Sequence, residues 1–247
     1  KPFVAAGVLE GAERVFGLHT AYDLEAGTVG LKPGINNAAV DHFRIRVHGK
    51  STHVSTPHMG VDALYIASQI VVAVQGLVTR RTSPTEPVII GIGKLNAGTT
   101  YNAVAAFAEM EGTTRTISQE SRDRVRAQVS ETAQSIAALY GGTAEIEWTD
   151  FAAALVNDPQ VCEEAAQVVD ELLGEGHVVT DRELSLSGDN FAEFELYKPG
   201  AYAYLGTGNP DFPHTMITNH NGGFDVDENA LVTGAGLYVG YTVARLG

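Results

Sequence analysis

The chain has 247 residues, is 44% hydrophobic with 27 glycines, and sets 30 acidic against 16 basic side chains for a net charge of −14. That length and composition suit one large globular domain or two modest ones and exclude a disordered chain, while the acidic excess argues against a nucleic-acid partner, whose grip depends mainly on Lys and Arg. The single cysteine, Cys162, excludes an internal disulfide and favours a reducing, cytoplasmic setting, and with no signal-peptide pattern and no run approaching bilayer-spanning length, no membrane partner is expected.

In chain order, "RVFGLH" (14–19) reads as a buried strand that ends at His19. "HFRIRVH" (42–48) alternates Phe43, Ile45 and Val47 against Arg44 and Arg46, the mark of a half-buried strand. From Val61 to Arg80 apolar residues recur with the period of an amphipathic helix. "PVIIGIGKL" and "FAEMEGTTR" are strands on either side of a turn-rich "NAGTTYN". Gln119–Tyr140 is a second helix with Ser118 as its N-cap, and "AEIEW" closes as a strand. The order βαββαβ is the ferredoxin-like arrangement. Farther on, Pro159–Leu173 and Glu228–Leu246 read as helices and "AYAYLG" as a buried strand. Charge supports an insertion: residues 41–149 are balanced in acids and bases, so the whole excess lies in 1–40 and 150–247. The expectation is an outer α/β domain (1–40 and 150–247) interrupted by an inner domain (41–149).

Histidines 48, 53 and 58 are spaced by five, which serves neither a helix face nor a strand face, so these three are not expected to share an ion. His19 at a strand's carboxyl end and His220 in the polar turn "MITNHNGGFDVDENAL" lie where α/β sheets bind ligands, and neutral imidazole is a common ligand for transition metals. A lone histidine, however, is more often a hydrogen-bonded structural residue. Asn102 in "AGTTYNAV" carries an amide able to donate to an oxyanion, or simply serves a turn. Arg115 can pair with a carboxylate or remain solvated. Asp189 in "SGDNFAEF" and the acids of "DVDE" read as helix caps, and Cys162 as a small core residue.

Together these segments resemble the M20 metallopeptidases, specifically the amidohydrolases related to hippurate hydrolase and auxin-conjugate hydrolases. "VFGLHTAYDLEAGTVGLKPG" is similar to the family's Gly-Leu-His strand and the segment after it. "VHGKSTHVSTPHMGVD" is similar to its V-x-G-x-x-x-H-[AGS]-x-x-P-H-x-G-x-D segment, "AGTTYNAVA" to G-G-T-x-x-N-V-I-P, "EGTTRT" to G-T-x-R-[TS], and "NHNGGFDVDENAL" to H-H-P-x-F-D-x-D-E-x-A-L. The resemblance implies a zinc-peptidase-like α/β catalytic domain interrupted by a ferredoxin-like dimerisation domain. It implies His19 and His220 as ligands in a centre of two divalent metal ions (zinc, manganese, cobalt or nickel). His53 would reach toward the site of a partner subunit. Asn102 would help to hold the oxyanion and Arg115 the substrate carboxylate, with His58 shaping its loop.

The sequence departs from the family pattern in three ways. The family's first metal-ligand loop and its Glu-Glu pair would precede Lys1, so the catalytic domain is expected to be incomplete at its N-terminus. The family's G-S-E-D-F-A becomes Ser187-Gly188-Asp189-Asn190-Phe191-Ala192, and Val104-Ala105 lacks the expected proline. The function implied is metal-dependent hydrolysis of N-acyl or N-aroyl amino acids by a metal-activated water, in a homodimer joined through residues 41–149. The alternatives are a dipeptidase or carboxypeptidase of the same superfamily, or an incomplete module that only dimerises or binds ligand.

Overall fold

The computed structural model describes residues 2–246. Its elements in chain order are α1 (Pro2–Ala5), β1 (Val15–Glu25), β2 (Val29–Gly30), β3 (Gly34–Asn37), β4 (Ala39–His48), α2 (Ala63–Gly76), β5 (Ile89–Ala97), β6 (Phe107–Thr116), α3 (Gln119–Leu139), β7 (Thr143–Ala152), β8 (Leu155–Asn157), α4 (Pro159–Leu173), β9 (Val178–Val179), α5 (Ala192–Glu195), β10 (Gly200–Gly208) and α6 (Asn229–Leu246). They fall into two compact units. The outer one comprises the residues up to Asn37, Leu155–Ser185 and everything from Asp189; the inner one comprises Ala38–Ala154 with Leu186–Gly188.

In the inner unit the strands are ordered β5-β6-β4-β7 and every neighbouring pair is antiparallel. With α2 and α3 packed on one face, this is the ferredoxin-like βαββαβ fold. Alternation along β4 puts Phe43, Ile45 and Val47 fully in the core with Ile66, Ile70, Val74, Met110, Val125 and Val129. The side chain of Asp62 accepts hydrogen bonds from Leu64 N and Tyr65 N, which starts α2 at Ala63, and a π-helical turn over Leu77–Arg81 ends it. The expectation that no run approaches bilayer-spanning length is corrected here. By length and composition Ala63–Arg81 reaches it, because α2 is apolar beyond its core-facing side. Ser118 caps α3 by accepting from Ser121 N, as its position predicts.

The opposite face of this sheet is a layer of ion pairs, with Arg46 on Glu109 (3.1 Å) and Glu147 (3.2 Å), and Arg44 near Glu111 at 3.6 Å. One pair is of a different kind. Asp41, 1% exposed, accepts from Arg122 Nε at 2.9 Å and Nη2 at 2.6 Å, and so ties α3 to β4 from inside.

The outer unit is built on a sheet ordered β1-β10-β2-β9, in which β1 and β10 run parallel with His19 opposite Tyr204. Strands from both flanks of the insertion therefore share one sheet. A second point is corrected: β1 does not stop at His19 but continues to Glu25. Glycines on β10 permit this close run, since a Cβ on Gly206 would meet Glu25 O at 2.1 Å and one on Gly208 would meet Tyr22 O at 2.3 Å. Against the sheet pack Val161, Cys162, Ala165 and Val169 of α4 and Leu237 and Tyr241 of α6. Burial pushes the Cys162 thiol up to about 12, which makes it an inert core residue. Asp158 caps α4, and Asp227 Oδ1 accepts from Asn229 N at the start of α6. The strands at which the chain leaves and re-enters this unit, β3 and β8, pair antiparallel with Gly34 opposite Asn157.

At the end of α5, Glu195 Oε2 accepts from Val156 N at 2.9 Å, whereas Oε1 is buried with no partner among the described residues. Burial, reinforced by the charge of Asp189, pushes this carboxyl from an ordinary 4.5 up to about 7. The folded protein thus holds the proton more tightly than the unfolded chain. The stability this contributes is complete below the unfolded value and is lost as pH rises through the folded one. Glu195→Gln is expected to remove on the order of 1–3 kcal/mol of that pH dependence. Urea midpoints measured for both proteins on either side of the window check it; parallel pH profiles would refute the assignment.

Candidate functional site

His19 sits in the middle of β1 over two tyrosine rings of β10, Tyr202 and Tyr204, each 6.0 Å away between centroids. Each phenol is anchored by its hydroxyl: Tyr202 donates to Asp189 Oδ2 at 2.8 Å and Tyr204 to Asn37 Oδ1 at 2.7 Å. Burial, and for Tyr202 the carboxylate of Asp189 as well, raises both phenol pKa values, so both rings stay neutral. His19 Nδ1 lies 2.7 Å from Thr20 O. A carbonyl can only accept, so Nδ1 carries the proton and the neutral ring presents a bare Nε2. That is the form in which an imidazole binds a metal ion, with its other nitrogen held by a carbonyl behind it.

The turn that carries His220 reaches the same place. Asn219 Nδ2 lies 3.3 Å from Thr20 O and 3.4 Å from His19 Nδ1, so the residue next to His220 touches the backbone of Thr20 and the ring of His19 from about 200 positions along the sequence. His220 itself is exposed and adopts a left-handed backbone with φ of 63°. Among the described residues no three His, Cys, Asp or Glu side chains gather as a metal cluster. His19 and His220 therefore make up at most part of a donor set.

His53 and Asn102 lie on two loops of the inner unit that bond to each other. Val54 N donates to Asn102 O at 3.1 Å, Val104 N donates to Thr52 O at 2.9 Å, and His53 bridges Ala103. His53 has the opposite tautomer to His19. Ser55 N donates to His53 Nδ1 at 3.2 Å and Ser55 Oγ lies 2.7 Å from the same atom. Nδ1 is thus the acceptor, and the neutral ring carries its proton on Nε2. Asn102 Oδ1 accepts from Thr100 Oγ1 at 3.2 Å, which turns the amide so that its exposed Nδ2 has no partner among the described residues. Two N–H donors thus stand on adjoining loops, an arrangement suited to negative charge developing on an oxygen.

Arg115 is not with them. It lies near the far end of β6, opposite Val40 and Ile89, whereas the His53 and Asn102 loops join the sheet beyond Phe107 at the other end. Eight residues of strand separate Phe107 from Arg115, about 27 Å. Arg44 and Arg46 on the same face are paired with carboxylates; Arg115 has no ion-pair partner among the described residues. It is half-buried, and burial lowers its guanidinium pKa, so the reading of an exposed, solvated arginine is set aside. Of the remaining residues singled out by sequence, His58 is exposed in a short 3-10 turn and His48 lies at the end of β4 against Phe107. Asp189 is no simple helix cap, since one oxygen accepts from Phe191 N and the other holds Tyr202. Sequence reasoning passed over Asn219, Ser55, Tyr202 and Tyr204. The i, i+2 spacing of the tyrosines was the one signal that two rings share a strand face.

The M20 peptidase dimerisation domain matches residues 38–140. Thermostable carboxypeptidase 1 of Saccharolobus solfataricus is 34% identical over 95% of this chain and 59% of its own length. N-acetyl-L-cysteine deacetylase of Bacillus subtilis is 34% identical over 92% of this chain and 52% of its own. Among solved structures, a dinuclear metal binding peptidase from the M20 family of Bacillus subtilis superposes with a TM-score of 0.79 at 31% identity, covering 99% of this chain and 60% of that one. The chain therefore spans between half and three-fifths of the relatives it matches.

Proposed function

The chain belongs to the M20 family of metallopeptidases and amidohydrolases, and on that basis we propose that the protein hydrolyses the amide bond of N-acyl or N-aroyl amino acids. The observation that carries this reading is the opposed tautomers of His19 and His53, one presenting a bare lone pair and one an N–H donor. Such a pair fits a reaction that needs a metal ligand on one side of a carbonyl and an oxyanion donor on the other.

The residues present fit a metal centre. His19 offers Nε2 with its tautomer already set, His220 stands on the adjoining turn, and Asn219 Oδ1 beside them is buried without a partner among the described residues. Zinc, manganese, cobalt or nickel, two ions per complete site, would supply Lewis-acid activation of the carbonyl and of water. His53 Nε2–H and Asn102 Nδ2 then donate to the carbonyl oxygen as it gains charge. Arg115 binds the carboxylate of the amino-acid half through its forked donors.

One strand cannot bring Arg115 to the same small substrate as His53 and Asn102. In this reading the site is completed by a second copy, whose His53 and Asn102 serve the first copy's Arg115. A homodimer through residues 41–149 supplies that partner. The surface available for it is the free edge of β5, with Ile89 and Leu95 exposed, together with Leu64, Tyr65 and Val72 on α2.

The test is hydrolysis of hippurate-like substrates by the full-length protein with manganese or zinc. His19→Ala is expected to lower kcat/KM more than about 100-fold; equal activity in both proteins would remove His19 from the chemistry. A carboxypeptidase or dipeptidase activity is the second reading, favoured by the carboxypeptidase relative. A panel comparing N-acyl amino acids with dipeptides separates the two.

A further inference from the structure

We infer that Asn219 is a positioning residue that couples the two ligand-bearing segments, holding the His220 turn against the Thr20 carbonyl beside His19 and offering a second polar atom to whatever binds there. This rests on the metal-site reading above. Three observations carry it. Asn219 Nδ2 donates to Thr20 O at 3.3 Å, the same carbonyl that accepts from His19 Nδ1 at 2.7 Å, so one oxygen gathers a ring from β1 and an amide from the turn. The residue that follows, His220, is the one non-glycine among the described residues with positive φ. A β-carbon-bearing residue holds that conformation only where its surroundings fix it, and the neighbouring amide supplies such a fixture. Finally, Asn219 Oδ1 is buried and has no hydrogen-bond partner among the described residues. A plain structural tie does not need a desolvated acceptor left over. A donor arriving with a ligand bound beside His19, such as a water or the N–H of an amide substrate, would satisfy it.

The experiment compares full-length wild type with Asn219→Ala and Asn219→Gln. In the metal-free proteins, hydrogen exchange of the backbone amides from 218 to 223 is measured. The alanine variant is expected to lose protection there by about tenfold or more, with the melting temperature little changed, and the glutamine variant, which keeps the donor, to regain part of it. Manganese titration calorimetry is then expected to show affinity weakened about 10–100-fold in Asn219→Ala. Unchanged exchange at the turn overturns the coupling role. Weakened protection with unchanged manganese affinity overturns the link to the ligand site. If wild type binds no manganese and His19→Ala behaves identically, the metal reading fails instead, while the exchange result still judges the tie between the segments.

Discussion

His53→Ala and Arg115→Ala proteins, each nearly inactive alone, are expected to recover about a quarter of wild-type activity when mixed and allowed to exchange subunits. The expectation follows from the length of β6. Arg115 and the loops carrying His53 and Asn102 attach at opposite ends of one strand, farther apart than any acyl amino acid can span. Under the proposed function, the carboxylate clamp would then come from one copy and the oxyanion donors from the other. In a randomly mixed population half of the dimers hold one of each variant, and each of these contains one site with all its groups intact. Alone, His53→Ala is expected to lose about 10²–10³ in kcat, the usual cost of removing an oxyanion donor, and Arg115→Ala to lose mainly in KM. The measurement is activity after mixing under mild denaturant and dilution, with the double variant as a control. Failure of the mixture to exceed the sum of its parts, with exchange verified by mass, would place the whole site within one copy.

Arg122→Ala is expected to destabilise the inner unit by about 3–5 kcal/mol, because it strands Asp41 as an uncompensated charge in the core. The two side chains are 7% and 1% exposed and share two hydrogen bonds; Arg126 Nη1, 3.8 Å from the same carboxylate, is too far to replace them. By contrast Arg46→Ala, which removes ion pairs with Glu109 and Glu147 from a solvent-exposed layer, is expected to cost no more than about 1 kcal/mol. Replacing both partners with apolar residues, Asp41→Leu with Arg122→Met, should come back close to wild type. The only tryptophan, Trp148, lies on β7 against Phe43, so its fluorescence in urea follows this unit. A loss below about 1 kcal/mol for Arg122→Ala would mean that water reaches Asp41.

Elements whose cause is local were legible from the chain. The apolar period of α2 and α3, the Ser118 cap and the alternation of β4 each depend on residues a few positions apart. The structure has all of them, with α2 beginning two residues after Val61, its last turn up to Arg81 π-helical, and α3 ending one residue before Tyr140. What was not legible depends on partners far along the chain. Nothing near His19 signals that β1 runs on to Glu25; the reason is a pair of glycines on β10 that leave room for it. Nothing in "TNHNGG" signals that Asn219 shares a carbonyl with His19. The tautomers of His19 and His53 were equally hidden. Spacing identifies a histidine, but only the neighbouring N–H or C=O decides which nitrogen keeps the proton. For Arg115 the residue type was informative and its surroundings were not, since the lack of a carboxylate neighbour appears only once the strands are aligned.

The pairing of β3 with β8 bears on the order in which the molecule assembles. Their antiparallel contact, continued inside the insertion by Val40 opposite Ala152, brings the two entry points of a chain segment of more than a hundred residues side by side. Once the inner unit has formed, the long excursion between β1 and β10 is in effect cut to a short connection. The entropic toll of bringing those distant strands together then falls to that of a much smaller loop. Assembly should proceed from the inside out, with the parallel β1–β10 pair that presents His19 as the last part to close.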